Sequence, residues 1–354
     1  MPVGGAEDFA LGAGAHLAPY FEAHYVCLRE YGQLAEEALQ SGRPVHLVHV
    51  FRSRYITPWA VRRFASWLRR EKISLVHSQT HHAHVFATKA ARLAGIPSVV
   101  HQQKTIEDLP PRRARIFGTC LKRASHVVAL SRRTADDLAR SSGLPHGKFS
   151  VVPNGIDRSL FRPSENCIAL RRQLGLPGEG LLIGTVGRLH KHKSHQTTIE
   201  AVVAARKKGI GVSAVLLGNG EQRSELERLA RESGAGGAIV LAGARRPVAP
   251  WLQALDLFVL PSVWEGQPLA LLQALACGIP ALASNIEGNT AVLGRDHPGL
   301  FPPGESSILA ELIAQAACDD EFVNKLRESQ QRVAIPWSDE SARKLADIYR
   351  ALTE

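Results

Sequence analysis

Cysteine is scarce and unpaired in this 354-residue chain: Cys27, Cys120, Cys167, Cys277 and Cys318 are its five, with no Cys-x-x-Cys spacing. That argues against a disulfide framework or a cysteine-ligated zinc site, and for thiols kept reduced in a cytoplasm. No apolar run approaches the roughly 20 residues a bilayer span needs, and none reads as a secretory signal. Low-complexity segments and repeats of solenoid period are missing too. Acidic residues are outnumbered, 33 against 43 Lys plus Arg, for a formal net charge of +10. Nucleic acid would suit that charge, but no binding motif or aromatic–basic interleaving accompanies it. An anionic membrane surface or a phosphorylated substrate accounts for it better. The remaining composition, 45% hydrophobic and 21% charged, is that of a globular chain long enough for two domains.

What is present is a steady alternation of strands and helices. Ala23–Leu28, Val45–Val50, Leu75–His77, Ser98–Val100 and His126–Ser131 read as strands in the first half. Leu181–Val186, Ala214–Gly220, Ile239–Ala244, Asp256–Leu260 and Ala281–Ser284 do so in the second. Helical patterns separate them, which is the rhythm of two doubly wound α/β domains. The turn Pro153-Asn154-Gly155 closes the first set, and the domain boundary is expected near Pro163.

The most informative stretch is Leu260–Ser284, LPSVWEGQPLALLQALACGIPALAS. A buried strand ends at Leu260, Pro268 suits a first helical position, and Leu269–Ala276 is apolar nearly all round. Glu265, Gly266 and Gln267 precede that helix. Its amino terminus is a natural seat for phosphate, while Glu265 can accept hydrogen bonds from hydroxyls. Together they suit a sugar phosphate or nucleotide sugar; an ordinary βαβ unit capped by its glutamate fits as well. A second cationic signal follows Val186, where Gly187-Arg188 is joined by Lys193 five residues on. Two cations across one turn can neutralise a diphosphate.

Other features keep two readings. Pro58–Lys72 places Ala60, Phe64, Trp67 and Leu68 on one face and Arg62, Arg63, Arg69 and Arg70 elsewhere. A second basic cluster surrounds Ile116, Phe117 and Leu121. Each is either a solvated face or a membrane-docking surface. His77–His84 (HSQTHHAH) holds four histidines, but no carboxylate or cysteine beside them completes a metal set. His101 is either a site residue at a strand end or a histidine satisfied by backbone.

The segment WEGQPLALLQALACGIPALAS resembles the signature of the retaining family 4 glycosyltransferases, whose pattern is Glu-Gly, six residues, then Glu. Gly187-Arg188-Leu189 with Lys193, the VVPNGID segment at Val151–Asp157, and GLFPPG at Gly299–Gly304 resemble further family motifs. The resemblance covers nearly the whole chain and is most specific in its second half. It implies the GT-B fold, two Rossmann-like domains facing a cleft, with residues 1–163 binding acceptor and 164–335 binding donor. Residues 336–354 would form a helix crossing back to the first domain. In the family a strand precedes the glycine pair matched here by Gly4-Gly5. Its absence before Met1 reads as a truncated or misassigned start.

By resemblance, Glu265 contacts the transferred sugar and His101 the sugar or the reacting centre. Gly4, Gly5, Gly187, Arg188, Lys193 and the run Gly266, Gln267, Pro268, Leu269 surround the diphosphate. Ala244 meets the base, and Gln273 stands where the second glutamate would hold the ribose. Glutamine keeps one acceptor but loses the charge, which implies a weaker hold. The implied reaction moves a sugar from a UDP- or GDP-linked donor to a glycan or lipid-linked acceptor in cell-surface polysaccharide or lipopolysaccharide synthesis. No metal and no resident cofactor are implied, and no nucleic acid. The implied location is cytoplasmic, with peripheral contact on the anionic inner membrane. A sugar phosphorylase or synthase on the same fold, or a non-catalytic scaffold, are the alternatives.

Overall fold

A computed structural model of the chain describes residues 5–48, 51–52, 55–102 and 110–354. The chain forms two compact units, Met1–Gly155 with Pro336–Glu354 (unit 1), and Ile156–Ile335 (unit 2). The division thus falls before Ile156 rather than after Pro163, and packing explains the difference. Phe161 packs on a core cluster of unit 2. The Arg162 carbonyl accepts from Gln253 Nε2 at 2.7 Å, and the Pro163 ring lies against Gly278. Residues 156–163 belong to the body they touch.

Unit 1 carries strands β1 (Tyr25–Cys27), β2 (Val45–Leu47), β3 (Phe51–Arg52), β4 (Tyr55–Ile56), β5 (Val76–Ser78), β6 (Ser98–Gln102), β7 (His126–Ala129) and β8 (Phe149–Val151). β5-β6-β7-β8 form a parallel sheet; β1 and β2 form a separate parallel pair. Val99, Val100, Val127 and Val128 have no accessible surface, as expected of parallel strands covered on both faces. β1 and β5 both line an open pocket of about 890 Å³ whose walls include Phe64, Trp67 and Phe86.

The helix Pro58–Arg70 starts as its sequence directs. Thr57 Oγ1 accepts from Ala60 N at 3.4 Å, and Pro58 takes the first position, where no N–H is needed. Ala60, Val61, Phe64, Ala65 and Leu68 are buried while its four arginines are exposed.

The first helix runs Gly5–Leu17, so Gly5, expected beside the diphosphate, is its first residue. The first helical position makes no intrahelical demand on its N–H, which lets glycine stand there. Gly4 lies outside the described residues. Phe9 and Leu17 of this helix share a core with Val99, Val128 and Val152, and with Ala342, Leu345, Ala346 and Tyr349 of the terminal helix Ser338–Thr353. Ser341 Oγ donates to the Pro153 carbonyl at 2.9 Å. Gly155 admits the start of that helix: a Cβ there would lie 2.4 Å from Ser338 Cα.

Unit 2 holds β9 (Leu181–Val186), β10 (Val212–Leu217), β11 (Ile239–Gly243), β12 (Leu257–Leu260), β13 (Ala281–Ser284) and β14 (Leu300–Phe301). They form one parallel sheet in the order β11-β10-β9-β12-β13-β14. Alternate residues serve opposite faces, as the twofold period of a strand requires. Val212, Ala214, Leu216, Leu257 and Val259 enter one core cluster, and Val215, Leu217, Phe258 and Leu260 the other. The strand order reverses between β9 and β12. In open α/β sheets, that reversal leaves a crevice outside the carboxyl ends of the two strands, where ligands bind.

Candidate functional site

The two segments that leave β9 and β12 carry most of the expected site residues. Beyond β9, Gly187 N donates to Leu217 O at 2.9 Å and Leu189 N to Asn219 O at 3.0 Å. The exits of β9 and β10 thus lie backbone against backbone. A Cβ at Gly218, where φ is +147°, would lie 1.9 Å from Gly187 O, and one at Gly220 would lie 2.2 Å from Leu189 O. Only glycine permits such an approach. Leu189 is fully buried and pins the loop, leaving Arg188 exposed beside it.

A buried histidine supports the same loop. His195 Nε2 lies 3.2 Å from the Arg188 carbonyl and donates to it. Burial pushes its pKa down to about 4, so the ring stays neutral and its tautomer is set by that bond. Lys193 ends a short turn, Lys191–Lys193, and its stem lies 3.5 Å from where a Gly187 side chain would start.

Beyond β12, Val263 N donates to His192 O at 2.9 Å, tying the two segments together. Lys193 and Glu265 meet here. Glu265 Oε1 accepts from Lys193 Nζ at 2.5 Å and from Ser262 Oγ at 2.6 Å. The carboxylate side chain is 7% accessible and the lysine 27%. A carboxylate so far from water is stable only when paired; removing one partner of such a pair costs about 3–5 kcal/mol. Its partner, in contrast, can still reach water.

The helix Leu269–Ala276 follows. Pro268 is its N-cap, with φ −78° and ψ 79°, rather than its first helical residue. That correction has a simple cause: the Pro268 carbonyl already accepts from Leu272 N at 3.1 Å, as an N-cap carbonyl does. Leu269 N turns back to Gln267 O at 2.9 Å, and no side chain caps the helix. The amides of Ala270 and Leu271 are therefore left without a partner among the described residues. Leu271, Leu272 and Leu275 are buried, each contributing roughly 1.5–3 kcal/mol, so the helix is rigidly seated. Gly266 is exposed, and Gln273 is half-exposed one turn beyond Leu269.

Ala244 stands two strands further out, exposed after Gly243, whose φ is +77°. Arg223 holds this corner through Asn219 Oδ1 at 2.9 Å and Leu241 O at 3.3 Å. Unit 2 therefore gathers Gly187, Arg188, Lys193, Glu265 and the Gly266–Leu269 turn at the carboxyl ends of β9 and β12.

Gly5 and His101 lie in unit 1. His101 is an interior residue of β6, its pairing with Val128 carrying the strand past the expected end at Val100. It is 1% exposed, edge-on to Phe9 at 4.9 Å, and burial holds its pKa well below the ordinary value. Both of its ring nitrogens are buried without a hydrogen-bond partner among the described residues. His84 bridges Ser78 Oγ at 2.9 Å and Gln102 Oε1 at 3.1 Å. His77 pairs with the Tyr349 hydroxyl. Among the described residues, no three His, Cys, Asp or Glu side chains are placed to hold a metal ion.

Several supporting residues carried no signal in the sequence. Ser284 Oγ donates to the Ser262 carbonyl, and Asn289 Nδ2 donates to Ser284 O at 3.0 Å. A Cβ on Gly288 would lie 2.4 Å from Glu265 O. Serines at strand ends match any loop composition; only the fold shows what they touch.

Chemically, the arrangement offers two cations and free helix amides for a phosphate, beside a carboxylate for hydroxyls. Residues 180–319 match the family model described as Glycosyl transferases group 1, and residues 3–160 that described as Glycosyltransferase Family 4. The UDP-Gal:alpha-D-GlcNAc-diphosphoundecaprenol alpha-1,3-galactosyltransferase of Escherichia coli is 30% identical over 248 residues, 66% of this chain. The match spans 63% of that relative's length. The lipopolysaccharide core biosynthesis mannosyltransferase LpsB of Rhizobium meliloti is 26% identical over 66% of this chain and 67% of its own. Among solved structures, Anabaena Alr3699/HepE in complex with UDP-glucose superposes with a TM-score of 0.85 at 24% identity, over 99% of this chain and 97% of that one. A likeness at that identity establishes the fold.

Proposed function

The chain belongs to the family 4 glycosyltransferases of the GT-B fold, and from that premise we propose that it transfers a sugar from a nucleotide-diphospho-sugar to a hydroxyl acceptor with retention of anomeric configuration. The observation that carries the reading is the Lys193–Glu265 pair at the carboxyl ends of β9 and β12, with Arg188 exposed beside it.

In this reading the diphosphate lies against Arg188, Lys193 and the Ala270 and Leu271 amides. The ribose meets Gln273, the base meets the Gly243-Ala244 corner, and Glu265 accepts from the sugar's hydroxyls. As the glycosidic bond to phosphate breaks, negative charge develops on the leaving oxygen. Cations and preorganised amides stabilise that charge without waiting for solvent to reorganise, and no metal ion is called for. The acceptor hydroxyl attacks from the face the diphosphate leaves, passing its proton to the departing phosphate.

The acceptor proposed is a glycan or a lipid-linked glycan of cell-surface polysaccharide or lipopolysaccharide synthesis, in keeping with the relatives' names. Peripheral contact with an anionic inner membrane completes the reading. Its support is the exposed arginine face of Pro58–Arg70, where Trp59 is 64% exposed under the Arg63 guanidinium. No helix among the described residues is long and apolar enough to cross a membrane.

Calorimetry with UDP, GDP and ADP tests the donor site. One nucleotide should bind selectively. Arg188→Ala should weaken it about 10- to 100-fold, the worth of a charge-assisted contact. Gln273→Glu should tighten it by restoring a charged acceptor for the ribose. Absence of binding by both the wild type and Gln273→Glu would leave a non-catalytic scaffold and remove the enzyme reading.

A further inference from the structure

Both hydrogen bonds that hold Glu265 converge on one oxygen. Oε1 accepts from Lys193 and Ser262, while Oε2 has no partner among the described residues. The two donors differ in what a ligand can do to them. Lys193 is partly exposed on a flexible stem, and its ammonium is one of the charges a diphosphate would attract. Ser262 is wholly buried and has no such competitor.

Ser262 is itself anchored from behind. Its carbonyl accepts from Ser284 Oγ; Asn289 Nδ2 reaches Ser284 O at 3.0 Å and Ser284 Oγ at 3.1 Å. Ser284 and Asn289 have no accessible surface. The relay joins the end of β12, the end of β13 and the helix Glu287–Leu293. Gly288 in that helix lets the Glu265 main chain settle against it. Backbone and one carboxylate oxygen of Glu265 are thus fixed by groups that no donor displaces.

We propose that Ser262, held through Ser284 and Asn289, is a positioning residue: it keeps Glu265 Oε1 in place when Lys193 turns to the donor diphosphate, so that Oε2 is presented to the hydroxyls of the transferred sugar. The proposal rests on the glycosyltransferase reading. It makes Ser262 matter to the sugar and not to the nucleotide, a split that a merely structural serine would not produce.

The test compares UDP with UDP-glucose, or GDP with GDP-mannose if calorimetry returns that base, on wild type, Ser262→Ala and Ser262→Thr. Donor hydrolysis is followed in parallel. In Ser262→Ala the nucleotide should bind within twofold of wild type. Its sugar-dependent gain in affinity, and kcat for hydrolysis, should each fall about tenfold, the loss expected for one hydrogen bond to a charged group. Ser262→Thr keeps the hydroxyl and should recover most of both. Equal losses for nucleotide and nucleotide sugar, or no loss, would overturn the positioning role and leave the donor site standing. A wild type that binds neither ligand would overturn the donor site, and the positioning role with it. If Ser262→Ala fails to fold, a Thr variant that folds without the sugar-dependent gain would also overturn it.

Discussion

Glu265→Gln is expected to slow sugar transfer about 10³-fold while changing nucleoside diphosphate affinity only a few-fold. The substitution preserves shape and leaves a carbonyl oxygen where Oε1 now accepts from Ser262. What disappears is the charge. Hydrogen bonds to a charged acceptor contribute roughly 1.5–3 kcal/mol each, so two sugar hydroxyls together account for about 10²- to 10⁴-fold in rate. Lys193, 27% accessible, can be hydrated once its partner is neutral, so stability should drop little. The converse change, Lys193→Met, leaves Glu265 charged at 7% accessibility with Ser262 alone, and should be the more destabilising of the two. Steady-state transfer and thermal melts, measured on both variants, check the pair. A Glu265→Gln enzyme within tenfold of wild type would remove the carboxylate from the reaction.

The second large effect is on pH stability. Burial holds the His77 pKa down to about 4 and that of His84 down to about 3. In the unfolded chain both return to about 6.5. The unfolded state therefore binds more protons than the folded one as pH falls below that value, and stability falls with it. The loss begins near pH 6.5 and continues until the folded values are reached. At pH 5 each group contributes about 2 kcal/mol of destabilisation, so unit 1 should lose about 4 kcal/mol relative to pH 7.5. His101, also held well below its ordinary value, acts in the same direction. In unit 2, His195 and His297, each held down to about 4, push the same way. Urea titrations between pH 7.5 and 5 would measure the slope, and His84→Gln should flatten it. A midpoint independent of pH over that window would mean that these rings protonate without opening the fold.

Much of this molecule was legible in the sequence where period and punctuation coincide. The apolar runs of β9 and β12 read as strands because both faces of a parallel sheet are buried. Arg188 and Lys193 stood out because cations after such a strand have little packing purpose. The Lys193–Glu265 contact was not legible: 72 residues separate the two, and each alone suits a phosphate or a hydroxyl without implying the other. Pro268 was displaced by a local ambiguity, since a residue without an N–H can stand just inside or just outside a helix start. His101 carried its family role by position, whereas its burial against Phe9 depends on the first helix covering β6. Ser262, Ser284 and Asn289 had no pattern at all.

The terminal helix Ser338–Thr353 completes the core of unit 1, although all of unit 2 lies between it and the rest of that core. Domains made on a ribosome ordinarily finish in the order in which they are synthesised. Here that order is inverted. Ile156–Ile335 is continuous and can close its sheet while unit 1 still waits for Leu345 and Tyr349 to cover Val99 and Val128. The half synthesised first is therefore the last to become native, and until Leu345 and Tyr349 emerge it exposes an apolar surface that waits for them.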